Sequence, residues 1–176
     1  MSPRSFSNSP AHFPSLSMAS IVRQAMSVLA LALPCAVAAQ VCTVASVHDG
    51  DTMRLQCPLQ KKSIPVRLER IDAPEIGQAS GVSSRDFLRA LCPVGAPARL
   101  LRRGKDRYGR TLGDVDCGHG SVQETMLRHG YAWVYPKFNA ERALVDLQGE
   151  AKAERRGLWA LPAPVAPWTY RKRGSL

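Results

Sequence analysis

The dipeptide Asp-Gly at residues 49–50 stands between two short runs with the composition of β-strands, residues 41–47 and 52–57. Asp-Gly flanked by such runs is among the strongest local signals for a tight β-hairpin. Cys42 and Cys57 lie symmetrically about this turn, so they could face each other across the hairpin. A hairpin at this position pairs the first two strands in antiparallel fashion, and we expect a β-rich domain.

Three later segments also have the composition of strands, namely residues 64–71, 98–103 and 111–117. The first is followed by Pro74, which has no amide proton to donate to a sheet. The other two are separated by residues 104–110, a turn that is rich in cations. The chain is therefore predicted to contain five strands.

Helices are predicted in three places. The first starts near Ser83 and ends before Pro93, and the second opens with the capping-box pattern Ser-Val-Gln-Glu at residues 121–124. The third is expected to begin near Asn139 and to run to Gly157. This order of elements fits an α+β fold that is mainly β barrel, a five-stranded OB-like barrel with three helices packed against it.

The N-terminal segment has the features of a secretory signal peptide, with a cation before the apolar run 25–33 and small residues after it. The run is too short to span a bilayer comfortably. We predict cleavage after Ala39, or alternatively after Ala38, which leaves a domain at residues 40–160 and a Pro-rich basic tail at 161–176 that we expect to be irregular. An uncleaved anchor and a buried helix are the alternatives. Two later methionines also remain possible starts, Met18 and Met26.

Four cysteines follow the predicted cleavage site: Cys42, Cys57, Cys92 and Cys117. An even number in an exported chain predicts two disulfides, for which three pairings are possible. The hairpin favours Cys42 with Cys57, which leaves Cys92 with Cys117. Free core thiols are the alternative, and the lack of any Cys-x-x-Cys spacing argues against a zinc site.

The chain is strongly basic, with 24 Lys and Arg against 14 Asp and Glu and a formal net charge of +10. Residues 1–39 contain Arg4 and Arg23 but no acid, so removing them lowers the charge only to +8. Such a charge favours a polyanionic partner, which is a nucleic acid, an anionic membrane surface or an acidic polysaccharide. An acidic cluster at Asp72 and Glu75 is unexpected in this setting and invites a chemical explanation.

Asp51 in the hairpin turn and Asp72 at a strand end converge if their strands are neighbours, and they then offer hard oxygens to a divalent cation. Glu75 is placed to reach a water beside that cation. Arg67 precedes Asp72 by an odd separation, which puts the two side chains on opposite faces unless the strand bulges or ends between them. Hydrolysis of a phosphodiester needs a water nucleophile, a base near it and positive charge on the phosphate oxygens, which the planar fork of arginine can hold in two-point contact.

Three blocks occur in one order, followed by two shorter ones: DGDT at 49–52, VRLERIDAPE at 66–75, DRYGR at 106–110, GLW at 157–159 and PWTYR at 167–171. The first three together resemble the staphylococcal nuclease (thermonuclease) family, over roughly residues 44–159, and the two shorter blocks are similar to its bacterial members. The resemblance implies calcium-dependent hydrolysis of DNA or RNA that leaves 3'-phosphate and 5'-hydroxyl ends.

Carried over by position, the resemblance implies that Asp51, Asp72 and the main-chain carbonyl of Ala73 ligate Ca²⁺. It also implies Glu75 as general base, Arg67 and Arg110 on the scissile phosphate, and Arg107 and Tyr108 beside the neighbouring nucleotide, with Tyr135 a candidate for stacking on a base. Ala73 replaces a threonine that is common in the best-known member of the family, which a main-chain ligand tolerates. Residues 76–84 are shorter and lack the lysine-rich loop of that member, so the substrate preference stays open.

The expected protein is thus an exported nuclease, periplasmic or secreted, that acts on nucleic acid as a monomer without stable membrane association. A non-catalytic OB-fold nucleic-acid-binding protein is the main alternative, and it requires the loss of at least one of the catalytic groups. A basic secreted protein that adheres to anionic surfaces is the other, and it has no use for the acidic cluster.

Overall fold

The computed structural model describes residues 39–136 and 141–174, so the predicted signal peptide lies outside the described residues except for Ala39. The described strands are β1 (Gln40–Val47), β2 (Thr52–Gln56), β3 (Ile64–Leu68), β4 (Ile71–Asp72), β5 (Pro97–Lys105), β6 (Thr111–Asp116) and β7 (Trp133–Val134). Five of them close into a barrel in the order β1-β2-β3-β6-β5. The predicted five-stranded OB-like barrel is confirmed.

Most barrel neighbours pair in antiparallel fashion, as the hairpin predicts, whereas β3 and β6 run parallel with Val66 opposite Thr111. Inward-facing side chains from the strands fill the barrel, and Met53, Leu55 and Leu68 have no exposed surface. Burial of alternate residues along most of β1 and along β6 is the physical reason that these strands could be recognised in the sequence, whereas β3 buries three successive residues.

The third predicted strand breaks before Asp72. β3 ends at Leu68, and Arg70 has a left-handed backbone conformation with φ of 68°. The chain then forms β4, which pairs with β7 instead of continuing the barrel. The prediction of one continuous strand over residues 64–71 is therefore wrong beyond Leu68, because the pairing of β4 with β7 turns the chain away from β3.

Three helices occupy the predicted places: α1 (Gly81–Leu91), α2 (Val122–Arg128) and α3 (Arg142–Ala153). The predicted cap of α2 forms, since the hydroxyl of Ser121 accepts a hydrogen bond from the amide of Glu124 at 3.3 Å. α3 ends before the predicted Gly157, and a short 3-10 helix, Gly157–Ala160, follows it. The predicted start of this third helix at Asn139 lies outside the described residues.

The tail was expected to be irregular, and this is wrong for its last part, which forms α4 (Pro167–Arg173). Pro167 suits the first turn of a helix, where its missing amide proton is not needed. Hydrogen bonds from and to this part of the chain hold it on the domain. Gln78 Nε2 donates to the carbonyl of Val165 at 2.6 Å, and the Tyr170 hydroxyl donates to the carbonyl of Gly77 at 3.1 Å. The described chain thus has four α-helices, and none of them has the length and apolar character that a membrane span requires.

Both disulfides join the ends of neighbouring elements inside the main core. Cys42–Cys57 closes the β1–β2 hairpin with its Cα atoms 4.2 Å apart, and Cys92–Cys117 joins the end of α1 to the end of β6 with its Cα atoms 5.5 Å apart. These are the pairs that the hairpin argument favours. Each bond restricts the unfolded chain and so stabilises the small barrel on which the site is built.

Candidate active site

An open cleft of about 960 Å³ gathers residues from separate parts of the chain: the β1–β2 turn, the β3–β4 segment, the β5–β6 turn, the end of β7 and α4. All the site residues that the sequence predicts line this cleft: Asp51, Arg67, Asp72, Ala73, Glu75, Arg107, Tyr108, Arg110 and Tyr135. The structure therefore brings the predicted residues together in one cleft.

The β1–β2 turn presents Asp51 to the cleft. Asp49 acts as the predicted turn former, because its Oδ1 accepts a hydrogen bond from the amide of Asp51 at 3.0 Å. The Thr52 hydroxyl donates to Asp51 Oδ1 at 2.9 Å, and the amide of Ala73 donates to Asp51 Oδ2 at 3.1 Å. Asp51 is buried, so these donors fix the direction of its carboxylate.

Gly50 lets this turn approach α1 and the residue after β4. A Cβ atom at position 50 would lie 1.9 Å from Ser84 Oγ and 2.7 Å from the Cβ of Ala73. Ser84 cannot easily yield, since it is buried and donates its hydroxyl to the carbonyl of Tyr131 at 2.6 Å. The glycine of the Asp-Gly pair is therefore required by tertiary packing.

Arg67 connects the two aspartates that the sequence singles out. Its Nη2 lies 3.0 Å from Asp51 Oδ2 and 2.8 Å from Asp72 Oδ1. Its Nη1 donates to the carbonyls of Leu68 and Ile71 at 2.9 and 3.0 Å. In a continuous strand Arg67 and Asp72 would point to opposite faces. The strand is interrupted between β3 and β4, which removes this conflict and lets Asp72 face Arg67.

Burial and mutual repulsion act on the carboxylates of the cleft. Burial raises the pKa of Asp49 to about 6, and the negative charge of Asp51 adds to this effect. Burial also raises the pKa of Asp72, which a hydrogen bond from Arg171 opposes and the charge of Asp51 reinforces. Carboxylates crowded in a buried place favour positive charge beside them, and Arg67 provides part of it.

Glu75 is the more open acid, with 39% of its side chain exposed. Its carbonyl accepts a hydrogen bond from the amide of Gln78 at 2.8 Å, and the Gln78 side chain accepts one from the Glu75 amide at 3.2 Å. Gly81 packs closely here, since a Cβ atom at that position would lie 1.8 Å from the Glu75 carbonyl oxygen. The loop therefore holds the Glu75 backbone while its side chain lines the cleft.

Asp106 organises the β5–β6 turn. Its Oδ1 accepts hydrogen bonds from the amides of Tyr108 and Arg110 at 2.9 and 3.0 Å, and its Oδ2 accepts from Arg110 Nε at 2.7 Å. Burial opposes the ionisation of Asp106, but these hydrogen bonds outweigh it and hold its pKa below the ordinary value. Arg110 is thereby directed toward the hairpin, where its Nη1 lies 3.4 Å from Thr52 Oγ1.

Aromatic rings flank the cations of the cleft. The Arg107 guanidinium lies 4.8 Å from the centroid of the Tyr108 ring, which is 69% exposed. The Arg67 guanidinium lies 5.7 Å from the centroid of the Tyr135 ring, and the ring of Trp168 is 5.9 Å from that of Tyr135. All three aromatic residues line the cleft, and such rings can contact nucleobases beside a bound phosphate.

The sequence analysis missed the contribution of α4, which brings Trp168, Arg171 and Lys172 to the cleft. Arg171 Nη2 lies 2.7 Å from Asp72 Oδ2, and its Nη1 lies 2.7 Å from Glu75 Oε1. The hydrogen bond to Asp72 raises the pKa of Arg171 above its ordinary value, so the guanidinium stays charged. The available signal was the block PWTYR, in which Pro can start a helix and the Trp and Arg three residues apart share a face.

The chain is similar in sequence to known nucleases. Residues 65–161 match the family described as "Staphylococcal nuclease homologue". An "Uncharacterized endonuclease" of Escherichia coli O157:H7 is 40% identical over 131 residues, which cover 74% of this chain and 84% of the relative. A protein of the same description from Haemophilus influenzae is 39% identical over 133 residues, or 75% of this chain and 73% of the relative.

A plant relative is matched over a smaller share of its own length. The "Staphylococcal-like nuclease CAN1" of Arabidopsis thaliana is 38% identical over 111 residues, which cover 63% of this chain but 34% of the plant protein. The family match at residues 65–161 runs from β3 to the 3-10 helix and includes most of the residues that line the cleft. The chain belongs to the staphylococcal nuclease family and is a nuclease, a hydrolase that acts on phosphodiester bonds.

Proposed function

We propose that this nuclease uses a calcium ion and a water nucleophile to cleave DNA, RNA or both, leaving 3'-phosphate and 5'-hydroxyl ends. The observation that carries the proposal is the convergence of Asp51 and Asp72 on Arg67, in the same cleft as Glu75 and Arg110. The bacterial relatives described as endonucleases support cleavage within the strand.

The oxygen donors of the cleft fit a hard divalent cation. Asp51 Oδ2 and Asp72 Oδ1 lie at 3.0 and 2.8 Å from the same arginine nitrogen, so both carboxylates point to one place. Within residues 39–136 and 141–174, no group of three or more His, Cys, Asp or Glu side chains is arranged to hold a metal, so the proposed site has only two side-chain ligands. We propose that Asp51, Asp72 and the Ala73 carbonyl hold Ca²⁺, with water as the remaining ligands. When bound, the ion supplies Lewis acidity to the phosphoryl group.

Glu75 is the proposed general base because it is the partly exposed carboxylate of the cleft. It takes a proton from the water that attacks phosphorus. The bond between phosphorus and the 5' oxygen breaks, and the departing oxygen takes a proton from solvent. Arg67 and Arg110 supply positive charge beside the phosphoryl oxygens, where negative charge increases in the transition state.

The aromatic rings that line the cleft are proposed to hold the rest of the substrate. Arg107 and Tyr108 lie together on the β5–β6 turn, where they can contact the nucleotide next to the cleaved bond. The Tyr135 ring lies 5.7 Å from the Arg67 guanidinium and offers a surface for base stacking.

Plasmid DNA and RNA incubated with calcium or with a chelator test the proposal, together with mapping of the product ends. We expect cleavage only with calcium, and a loss of kcat of about 10²–10⁴ in Glu75→Gln with the fold retained by circular dichroism. Glu69→Gln is the matched control, since Glu69 is in the same segment but does not line the cleft. Equal cleavage with the chelator, or 5'-phosphate ends, would contradict the proposal. Binding without cleavage by the wild type would favour the non-catalytic OB-fold alternative.

We further propose that the protein is exported and acts as a monomer. Two disulfides in a small barrel persist in an oxidising compartment, and the basic charge belongs to the chain after residue 39. Mass spectrometry of the mature protein is expected to show a chain that starts at Gln40 with both disulfides formed. A chain that retains residues 1–39 and has reduced cysteines would argue against export, and size-exclusion chromatography tests the monomer.

A further inference from the structure

α4 lies beyond residues 65–161, the segment that matches the family, yet it supplies a charged group to the centre of the cleft. The Arg171 guanidinium contacts both oxygens of Asp72, with Nη2 at 2.7 Å from Oδ2 and Nη1 at 3.2 Å from Oδ1. The same Nη1 lies 2.7 Å from Glu75 Oε1. One arginine thus joins the proposed metal ligand Asp72 to the proposed base Glu75.

The position of Arg171 is set by tertiary contacts of its helix. Pro167 at the start of α4 is buried, and the ring of Trp168 lies 5.7 Å from the ring of Trp133. Tyr170 donates its hydroxyl to the carbonyl of Gly77, two residues after Glu75. Because α4 is attached to the loop that carries Glu75, the guanidinium and the carboxylate are held in one geometry.

The carboxylate of Asp72 already has two cationic neighbours. Its side chain is 1% exposed, and it receives Arg67 Nη2 on Oδ1 and Arg171 Nη2 on Oδ2. A divalent cation that takes Asp72 as a ligand must share it with Arg171, and like charges at such short range repel each other. Arg171 therefore disfavours cation binding at Asp72 while it orients Glu75.

We propose that Arg171 is a positioning residue of the nuclease, which holds Glu75 for proton abstraction and weakens calcium binding at Asp72. This inference rests on the proposed calcium-dependent function. It predicts two effects of opposite sign when the charge is removed: tighter calcium binding and slower turnover. If Arg171 had a purely structural role, its removal would weaken calcium binding and slow turnover, because the loss of order would disturb the metal ligand and the base together.

The test uses the full mature chain and the variant Arg171→Gln, with calcium binding measured by isothermal titration calorimetry and cleavage measured on DNA. We expect calcium to bind about three- to tenfold more tightly, since the variant removes the repulsion between calcium and the Arg171 guanidinium. The side chain is 41% exposed, so solvent screens part of that repulsion. We also expect kcat to fall by about tenfold or more with a smaller change in KM, because the base is no longer oriented. Arg171→Lys keeps the charge but loses the planar fork, so its calcium affinity stays near that of the wild type and kcat recovers only in part.

Arg173→Gln is the matched control, because it removes one positive charge from the same helix at a residue that does not line the cleft. It should change neither calcium affinity nor kcat. Calcium binding by Arg171→Gln that is unchanged or weaker, or an unchanged kcat, would overturn the inference. Failure of the proposed function is distinguishable, since the wild type would then bind no calcium or would cut equally well with a chelator, and the inference would fall with it.

Discussion

The floor and the rim of the cleft are built in different ways. The floor consists of Asp51, Arg67 and Asp72, which are buried and joined by contacts between separate strands. The rim consists of Arg107 and Tyr108, which are exposed and contact each other within the β5–β6 turn. The comparison shows that long-range packing positions the charged centre, whereas local turn chemistry positions the groups that meet the rest of the substrate.

The floor and the rim should also differ in how strongly a substitution lowers the free energy of unfolding. A buried charge that loses its partner destabilises a protein by several kcal/mol, whereas exposed ion pairs and ring contacts contribute about 1 kcal/mol or less. Substitutions in the floor should therefore change stability and activity together. Substitutions in the rim should change substrate binding and leave the fold intact.

Arg67→Met is expected to have the largest effect. It leaves the carboxylates of Asp51 and Asp72 buried without the cation between them, so the free energy of unfolding should fall by about 3 kcal/mol and cleavage should be lost. Urea denaturation measures the first effect and a plasmid assay the second. Arg107→Met is the rim counterpart, and it should change stability by less than about 1 kcal/mol. Equal destabilisation by the two variants would break the distinction between floor and rim.

Gly50→Ala tests whether packing around the hairpin turn supports the floor. The added Cβ would lie 1.9 Å from Ser84 Oγ, so we expect a loss of about 1–3 kcal/mol in the free energy of unfolding and reduced cleavage. Gly104→Ala is the control, because nothing lies within 4 Å of a Cβ at that position on β5. Its stability should stay within about 0.5 kcal/mol of the wild type. A neutral Gly50→Ala would show that the turn does not depend on this close approach.

Asp106→Asn tests the electrostatics of the turn that carries the rim. The folded-state pKa of Asp106 lies below its ordinary value of 3.8, so its charge stabilises the fold above that pH and this stability is lost as the pH falls through the folded-state pKa. The wild type should exceed the variant by up to about 1 kcal/mol at neutral pH. Urea denaturation at neutral and at strongly acidic pH should show the difference shrinking in acid. A difference that persists unchanged in acid would mean that the carboxylate charge is not its cause.

Tyr108→Ala is expected to have the smallest effect on the protein itself. The ring is exposed, so the free energy of unfolding should stay within about 0.5 kcal/mol of the wild type. Loss of a base contact should raise KM by about fivefold with kcat unchanged, and Tyr108→Phe should restore most of the affinity. Steady-state kinetics on a short oligonucleotide distinguish these outcomes. A fall in kcat without a change in KM would move Tyr108 from the rim into the chemistry.

The barrel strands and the α2 cap could be predicted because their signals are local. Burial of alternate residues marks β1 and β6, and Ser121 with Glu124 marks the start of α2. The break at Arg70 carries no such mark, since arginine rarely adopts a positive φ and no glycine announces the turn. That break depends on the pairing of β4 with β7, in which Ile71 lies opposite Val134 and Asp72 opposite Trp133, more than 60 positions later in the chain.

The sequence by itself determined the barrel, the favoured disulfide pairing and the kinds of group in the site, since strand patterns, turn residues and chemical types are properties of short segments. Only the tertiary structure decided how Arg67 meets Asp72 and that Arg171 reaches both Asp72 and Glu75. The physical reason is that these contacts depend on where β4 and α4 pack. Packing is selected by the burial of distant surfaces against one another, which no short stretch of residues records.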